Sequence, residues 1–477
     1  TLYSLRRALV DVLACFPVYR TYINGNQPGE IDVKYIKDTI ATAKRHNIGL
    51  SDEFEFVEKF LLLKYHPHMT EEDKANWLNF VMKFQQLTGP LMAKGFEDTT
   101  LYVYNRLLSL NDVGGKPENF GTPRPKFHEF NKKRHHFFPH TMNATSTHDT
   151  KRGEDVRARI NVLSELADEW KDNINKWHVT NKRMKRIING IPVPDRNDEY
   201  AIYQTLVGTY PNACDNHEEY VRRIKEHVVK FIREAKVHTA WIKPDAEYEE
   251  ACTGFVGEIL NARNSFLNDF AAFQKKIAHY GVYNSLSQAV LKMTAPGIPD
   301  FYQGTELWEL SLVDPDNRRK VDFSIRKKYL SEIKQKETES MDKLLDELLI
   351  NKHDGRIKMF LIWRILGYRR QNPEIFQKGV YAALKVGGKF RNSVIAFQRK
   401  AENRTLIVVA PRFLTKVMKE TEEPLGEKIW QDTKILLPEN TVSEMKDVIT
   451  GKDVVAANGE LHLGRVLTRF PVAALTC

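Results

Sequence analysis

The chain has 477 residues, 42% of them apolar, 28% charged, and a formal net charge of +10, which is enough length and apolar content for two to four cored domains and too much for disorder. No apolar run reaches about 18 residues, and Thr1-Leu2-Tyr3-Ser4 lacks the basic and apolar regions of an export signal, so the expectation is a soluble, cytoplasmic protein with no membrane partner. The cations are interleaved with 62 acids and only Lys132-Lys133-Arg134-His135-His136 is dense; with no basic, aromatic-interleaved motif, nucleic acid is not an expected partner.

From Leu2 to Phe84 apolar residues recur at helical spacing, as in Leu2, Leu5, Leu9, Val12, Leu13 and Phe16, and this predicts a helical module. Asn24-Gly25-Asn26-Gln27-Pro28-Gly29 and His66-Pro67-His68 interrupt it. Lys94 to Gly115 reads as one helix with an acidic start, closed by Gly114-Gly115. On such a helix Lys94, Glu97, Asp98, Tyr102 and Arg106 fall on one side, as a binding surface or as a charged face making local ion pairs. Lys116 to Pro139, rich in proline, glycine and aromatics, predicts a loop leading to a strand over Met142 to Thr147. That strand delivers His148-Asp149-Thr150, a polar pair where barrel enzymes present site residues, although a bare His-Asp is most often a loop pair or a helix cap.

After Asp149 a helix is predicted whose stripe Val156, Ile160, Leu163, Ala167 and Trp170 faces the core. Further helices are expected over Ile174 to Ile188, Glu199 to Thr209, Asn216 to Lys236, and Glu247 to Lys292, the last broken near Asn264 and Tyr280. Ala295 to Glu306 reads as a short buried strand and a polar loop, because Pro296 and Pro299 exclude a helix. Asp300, Gln303 and Glu306 sit where strand meets loop, and in Asp314-Pro315-Asp316-Asn317-Arg318-Arg319 the aspartates can cap amides and pair with the arginines. Helices over Ile325 to Leu349 and Met359 to Tyr368 precede β-rich runs at Ser393 to Gln398, Thr405 to Ala410 and Val466 to Ala474, as in an antiparallel β domain. Cys15, Cys214, Cys252 and Cys477 have no CxxC spacing and predict reduced thiols, neither a disulfide framework nor a zinc site.

The stretch Ala144-Thr145-Ser146-Thr147-His148-Asp149-Thr150-Lys151-Arg152-Gly153-Glu154-Asp155-Val156-Arg157-Ala158-Arg159-Ile160 resembles the fourth signature region of the maltooligosyltrehalose synthases, a branch of the α-amylase superfamily (glycoside hydrolase family 13). Leu5 to Tyr22, the Lys94 segment and Pro299 to Arg319 resemble the same family in order, with Asp112 and Lys320 as small departures. The fold this implies is α/β: the C-terminal portion of a (β/α)8 barrel with large helical insertions and a C-terminal antiparallel β domain. Its expected parts are a helical subdomain (1–90), a helix and barrel strand carrying His148-Asp149 (91–154), a helical insertion (155–290), the last barrel strand and following helices (291–378) and the β domain (379–477).

The resemblance implies an intramolecular transglucosylation that turns the reducing-end α-1,4 bond of a maltooligosaccharide into an α,α-1,1 bond, with no cofactor and no metal. A retaining glycosyl transfer uses two carboxylates about 5–5.5 Å apart as nucleophile and general acid/base, with bonds to the sugar 2-hydroxyl strengthening as the bond breaks. By resemblance Asp149 is the third carboxylate, which holds the 2- and 3-hydroxyls, assisted by His148. Lys94, Glu97, Asp98, Tyr102, Arg106, Lys151, Arg152, Gln303 and Glu306 are candidate substrate contacts. For Lys151 and Arg152 the alternative is anchoring the loop to Glu154 and Asp155; for Trp241, Tyr302 and Trp308 packing competes with stacking on sugars.

No Arg-x-Asp-His arrangement exists upstream of Leu5 or elsewhere, so the nucleophile and acid/base are expected on a missing N-terminal barrel part of the same enzyme. The chain alone is then expected to be an inactive fragment with unpaired strand edges. A trehalohydrolase is the pathway partner implied. The competing readings are an α-amylase-like hydrolase, which water access separates from a mutase, and a noncatalytic glucan-binding fragment.

Overall fold

A computed structural model describes residues 1–25, 27–211, 216–402, 404–439 and 441–477; Asn26 and Cys214 lie outside the described residues. Cys15, Cys252 and Cys477 are free thiols. The chain divides into two compact units, Thr1–Tyr104 with Glu234–Lys236, and Asn105–Arg233 with Val237–Cys477.

The first unit is helical: α1 (Leu2–Ala14), α2 (Glu30–His46), α3 (Ser51–Leu61) and α4 (Glu71–Met92). The i, i+3, i+4 stripes close on one core, with Ala8, Val12, Ile36, Ile40, Phe54, Val57 and Phe84 buried together. Thr1 caps α1 in a reciprocal capping box with Ser4, and Thr70 caps α4 through the Asp73 amide. α4 does not end where Pro90 and Gly95 would stop it. It runs into a π-helical stretch, Ala93–Thr100, and a last turn, α5 (Leu101–Val103). The hydroxyls of Thr99 and Thr100 bond the carbonyls of Lys94 and Gly95, five residues back, at 2.8 and 3.0 Å, which favours the wider turn. The single helix expected from Lys94 to Gly115 therefore stops at Val103, and the chain is extended at Tyr104 (φ −82°, ψ 85°).

The second unit begins with α6 (Arg124–Phe137), where a loop was expected; Pro125 sits in the first turn, where its missing N–H costs nothing. β1 is only Met142–Asn143, shorter than the expected strand. α7 (Glu154–Val162) and α8 (Ala167–Asn181) are separate helices, so the predicted stripe breaks at Ala167, which is exposed, while Val156, Ile160, Leu163 and Trp170 are buried. The run to Ile188 is not helical either: β2 (Arg186–Ile188) and β3 (Ile191–Val193) form a hairpin across Asn189-Gly190, both at positive φ (49° and 79°).

α9 (Arg196–Thr209), α10 (His217–Ala235), α11 (Ala246–Ile259) and α12 (Ser265–Thr294) follow; the break expected near Asn264 is present, and Asn264 caps α12. No break occurs at Tyr280, because Gly281 serves packing: a Cβ there would lie 2.6 Å from Arg159 Cγ of α7. Trp177, 1% exposed, is ringed by Trp170, Tyr203, Phe266, Phe270 and Phe273 at centroid distances of 5.5–5.8 Å, mostly edge to face.

β4 (Ile298–Pro299) pairs with β1 in parallel, Met142 opposite Ile298 and Asn143 opposite Pro299. Ile298 is 47% exposed, so the strand is not buried as expected. Gly297 (φ +121°) permits the pairing; a Cβ there would meet the Thr141 carbonyl at 2.5 Å. α13 (Phe323–Glu339) and α14 (Met341–Ile350) are split by the cap Ser340, and α15 (Arg356–Gln371) and α16 (Pro373–Gln377) lead into the β region.

The C-terminal part is antiparallel, as expected. A six-stranded sheet has the order β11 (Asp453–Val455), β10 (Glu444–Asp447), β13 (Ala473–Thr476), β8 (Arg404–Pro411), β7 (Val394–Ala401), β5 (Val380–Ala383). A three-stranded sheet joins β12 (Glu460–His462), β9 (Lys434–Leu436) and β6 (Lys385–Gly387). The run from Val466 is strand only from Ala473, since Leu463–Val466 is helical. Among the described residues no helix is long and apolar enough to cross a membrane.

Candidate functional site

Because β1 and β4 are parallel, the loops that follow them, 144–153 and 300–322, leave from the same end of the pair. The first loop carries His148 and Asp149, both exposed. Its turn is made locally: Thr147 N donates to Thr150 Oγ1 at 2.8 Å, and Asp149 N to Thr147 Oγ1 at 3.2 Å. Among the described residues no hydrogen bond or ion pair engages the Asp149 carboxylate. The second loop clasps the first, with Asn317 Nδ2 donating to the His148 carbonyl at 2.9 Å and Tyr302 Oη donating to the Asn317 carbonyl at 3.1 Å.

Beneath the loop lies a buried set of charges. Glu154 and Asp155 open α7, where acids suit the helix dipole, and Glu154 N donates to Ser146 Oγ at 3.0 Å. Lys358 Nζ of α15, 1% exposed, reaches Glu154 Oε1 at 2.6 Å and Asp155 Oδ2 at 2.8 Å. Lys292 Nζ of α12 reaches Glu154 Oε2 at 3.2 Å and Thr145 Oγ1 at 2.8 Å, and lies 3.8 Å from the centroid of Phe301. Thr145 also donates to Glu154, and Arg157 to the Thr145 carbonyl. Burial pushes the Glu154 carboxyl up, but the two ammonium groups override it and hold it well below the usual carboxylate range. Burial likewise pulls at Lys358, whose two carboxylates raise it; at Lys292 burial outweighs the pull of Glu154 and, with Lys358 nearby, lowers it. Two cations and two anions thus neutralise each other in a buried setting, and they fix both ends of the loop. Sequence spacing did not reveal Lys292 and Lys358; the signal was a lone lysine inside each apolar run, Ala289-Val290-Leu291-Lys292-Met293 and Ile357-Lys358-Met359-Phe360.

Gly153 has no room for a side chain, since a Cβ would lie 2.9 Å from the Glu309 carbonyl, and its N–H donates to Ser311 O at 2.9 Å. Asp155 accepts from Glu309 N at 2.7 Å. Lys151 and Arg152, 4% and 2% exposed, are buried beside this contact, and the partners of Glu154 and Asp155 are Lys358 and Lys292 rather than the two residues expected to anchor the loop. Asp112 accepts from Lys151 N at 3.3 Å and pairs with Arg157 at 3.1 Å. Burial pushes its carboxyl up.

In the second loop Asp316 behaves as expected: it accepts from Leu312 N at 2.8 Å and binds Arg223 at 2.7 and 2.8 Å and Arg319 at 2.9 Å. Burial raises its carboxyl, but Arg223 overrides this and holds it low. Glu306 pairs with Arg326 at 3.2 Å, and Gln303 is exposed. Trp308 Nε1 donates to Lys352 O at 2.9 Å, while Trp241 is 50% exposed under Arg233.

Lys94, Glu97, Asp98 and Tyr102 belong to the first unit, and Arg106 to the second. Four of the five lie on the π-helical stretch and its last turn rather than on the α-helix expected, and Arg106 lies beyond that turn. Lys94 pairs with Asp98 at 2.6 Å; Glu97 is 5% exposed and accepts from Tyr19 Oη; Tyr102 is 3% exposed. Among the described residues Asp195, Asp198 and His238 bring ligand-type atoms within 4.8 Å of one another. These atoms are already engaged: Asp195 caps the Asp198 amide and bonds His238 at 2.8 Å, and Tyr248 donates to Asp198 at 2.6 Å. Burial pushes the Asp198 carboxyl up to about 6.

No family model matches the chain. A putative maltooligosyl trehalose synthase of Mycobacterium tuberculosis is 31% identical over 394 residues, which is 83% of this chain and 45% of the relative. The solved maltooligosyltrehalose synthase of Arthrobacter ramosus superposes with a TM-score of 0.78 at 30% identity, over 99% of this chain and 54% of that one. A hypothetical maltooligosyl trehalose synthase from Sulfolobus tokodaii gives 0.71 at 32%, over 99% and 53%. The chain therefore spans about half the length of the relatives it matches.

Proposed function

Since this chain belongs to the maltooligosyltrehalose synthase family, we propose that it forms the part of such an enzyme that grips the sugar during intramolecular transglucosylation, converting the reducing-end α-1,4 bond of a maltooligosaccharide into an α,α-1,1 bond. One observation carries the reading: Asp149 stands exposed at the end of a parallel strand pair, its carboxylate engaged by no described residue, on a loop anchored by Glu154, Asp155, Lys292 and Lys358. A carboxylate held in place yet left free to accept can take two sugar hydroxyls as charge-assisted bonds, which strengthen while the ring acquires positive charge. A rigid support keeps that geometry from relaxing before bond breaking.

In this reading β1 and β4 are the last two strands of a (β/α)8 barrel, and their loops form the rim of its C-terminal end. The nucleophile and the general acid/base are supplied by residues outside this sequence, so the chain alone is inactive. His148, Gln303 and Glu306, all in the second unit, contact sugar. The test is product analysis of the full-length protein on maltopentaose: the reading requires a nonreducing maltotriosyltrehalose as the main product, and free glucose as the dominant product would reject it in favour of hydrolysis.

A further inference from the structure

A cleft of 540 Å³ opens between α15 and β10 of the larger sheet, away from the loop of Asp149, and its chemistry is cationic. Lys334, Arg364, Arg370 and Lys446 line it around Trp363. Arg364 is committed, donating to the Val448 carbonyl at 2.9 and 2.6 Å and pairing with Glu337. Lys334, Arg370 and Lys446 have no carboxylate partner among the described residues; Lys334 Nζ stands 5.8 Å from the Trp363 ring centroid. Asp447, the acid in the lining, is 2% exposed and turned inward, accepting from the amides of Ile449, Thr450 and Ala474. Like charges gathered in a concave site without a counter-charge raise the local potential and attract an anion.

The floor is also kept open. Gly367 lies inside α15, where glycine costs about 1 kcal/mol relative to alanine, and a Cβ there would touch nothing within 4 Å. The space above it is the cleft and its 570 Å³ neighbour, which shares Lys334, Trp363, Gly367 and Arg370 and is lined by apolar Phe323, Ile362 and Leu366 together with Lys327 and the Glu306–Arg326 pair. The combined groove therefore joins a basic cleft to a wall where apolar side chains stand beside one acid already paired with Arg326.

We propose that this groove binds a phosphorylated small molecule that carries a ring, the phosphate between Arg370, Lys446 and Lys334 and the ring against Trp363 and the apolar wall. Sugar phosphates and nucleotides share this chemistry. The test is titration calorimetry of the full-length protein with glucose 6-phosphate and with ATP, and with glucose as the neutral control. Saturable binding of either phosphate but not of glucose is expected, and the tighter of the two identifies the source. Arg370→Glu combined with Lys446→Glu, and separately Gly367→Leu, should each weaken it by about tenfold or more. If Gly367→Leu does not fold, the charge-reversal pair decides. The absence of saturable binding to about 10 mM, or an equal loss on reversing the remote exposed Lys171, would overturn the proposal.

Discussion

Replacing Lys358 by methionine isolates the support beneath the Asp149 loop. Its Nζ, 1% exposed, is shared between Glu154 at 2.6 Å and Asp155 at 2.8 Å, so the variant leaves buried Glu154 paired with Lys292 alone and buried Asp155 without an ion-pair partner among the described residues. Breaking a buried pair from one side costs about 3–5 kcal/mol, because the remaining charge stays desolvated. The two ammonium groups overcome the cost of burial and hold the Glu154 carboxyl well below its ordinary range, so the cluster adds stability at neutral pH. Because the folded-state value is depressed, that stability is present above pH 4.5 and disappears as pH falls through 2. In Lys358→Met the sign reverses: burial now raises Glu154, so acidification relieves the defect. Urea unfolding followed by tryptophan fluorescence should show a loss of about 3–5 kcal/mol at pH 7 that shrinks to about 1 kcal/mol near pH 4, with faster amide exchange over 144–153. An equal loss at both pH values, or less than about 1 kcal/mol at pH 7, would refute the reasoning.

Gly297→Ala should cost about 2–4 kcal/mol in chemical unfolding, since it combines φ +121° with a Cβ 2.5 Å from the Thr141 carbonyl. Arg223→Gln should cost about 2–4 kcal/mol at pH 7, and the deficit should narrow below pH 4 as Asp316, which loses the charge that holds its carboxyl low, becomes protonated. In the full-length protein Asp149→Asn should lower kcat by about a thousandfold with an unchanged circular dichroism spectrum, because the amide keeps the shape and loses the charge-assisted acceptor. A kcat within about threefold of the parent would remove Asp149 from the transition state.

The helical first unit, the helix break near Asn264, the antiparallel C-terminal part and the clasp at Asp316 were legible, because each is written in local spacing or in turn chemistry. Three misreadings had local causes. Asn189-Gly190 is a hairpin signal that was lost behind the helical stripe of α8. The π turn at Ala93–Thr100 depends on threonine hydroxyls reaching back five residues, which a 3.6-residue periodicity cannot register. The break expected near Tyr280 is absent, and the neighbouring Gly281 instead accommodates Arg159 within the helix. The charges under the Asp149 loop are different in kind. Lys292 and Lys358 meet Glu154 across 138 and 204 residues of chain, so nothing in the motif itself points to them. Only their placement inside apolar runs betrays a lysine that must find its counter-charge indoors.

The most direct test of the central claim is a structure of the full-length protein bound to maltopentaose. The Asp149 carboxylate should lie about 2.5–3.0 Å from the 2- and 3-hydroxyls of one glucosyl ring. A well-ordered oligosaccharide with Asp149 left in solvent, and its ring hydroxyls held by other residues, would contradict it.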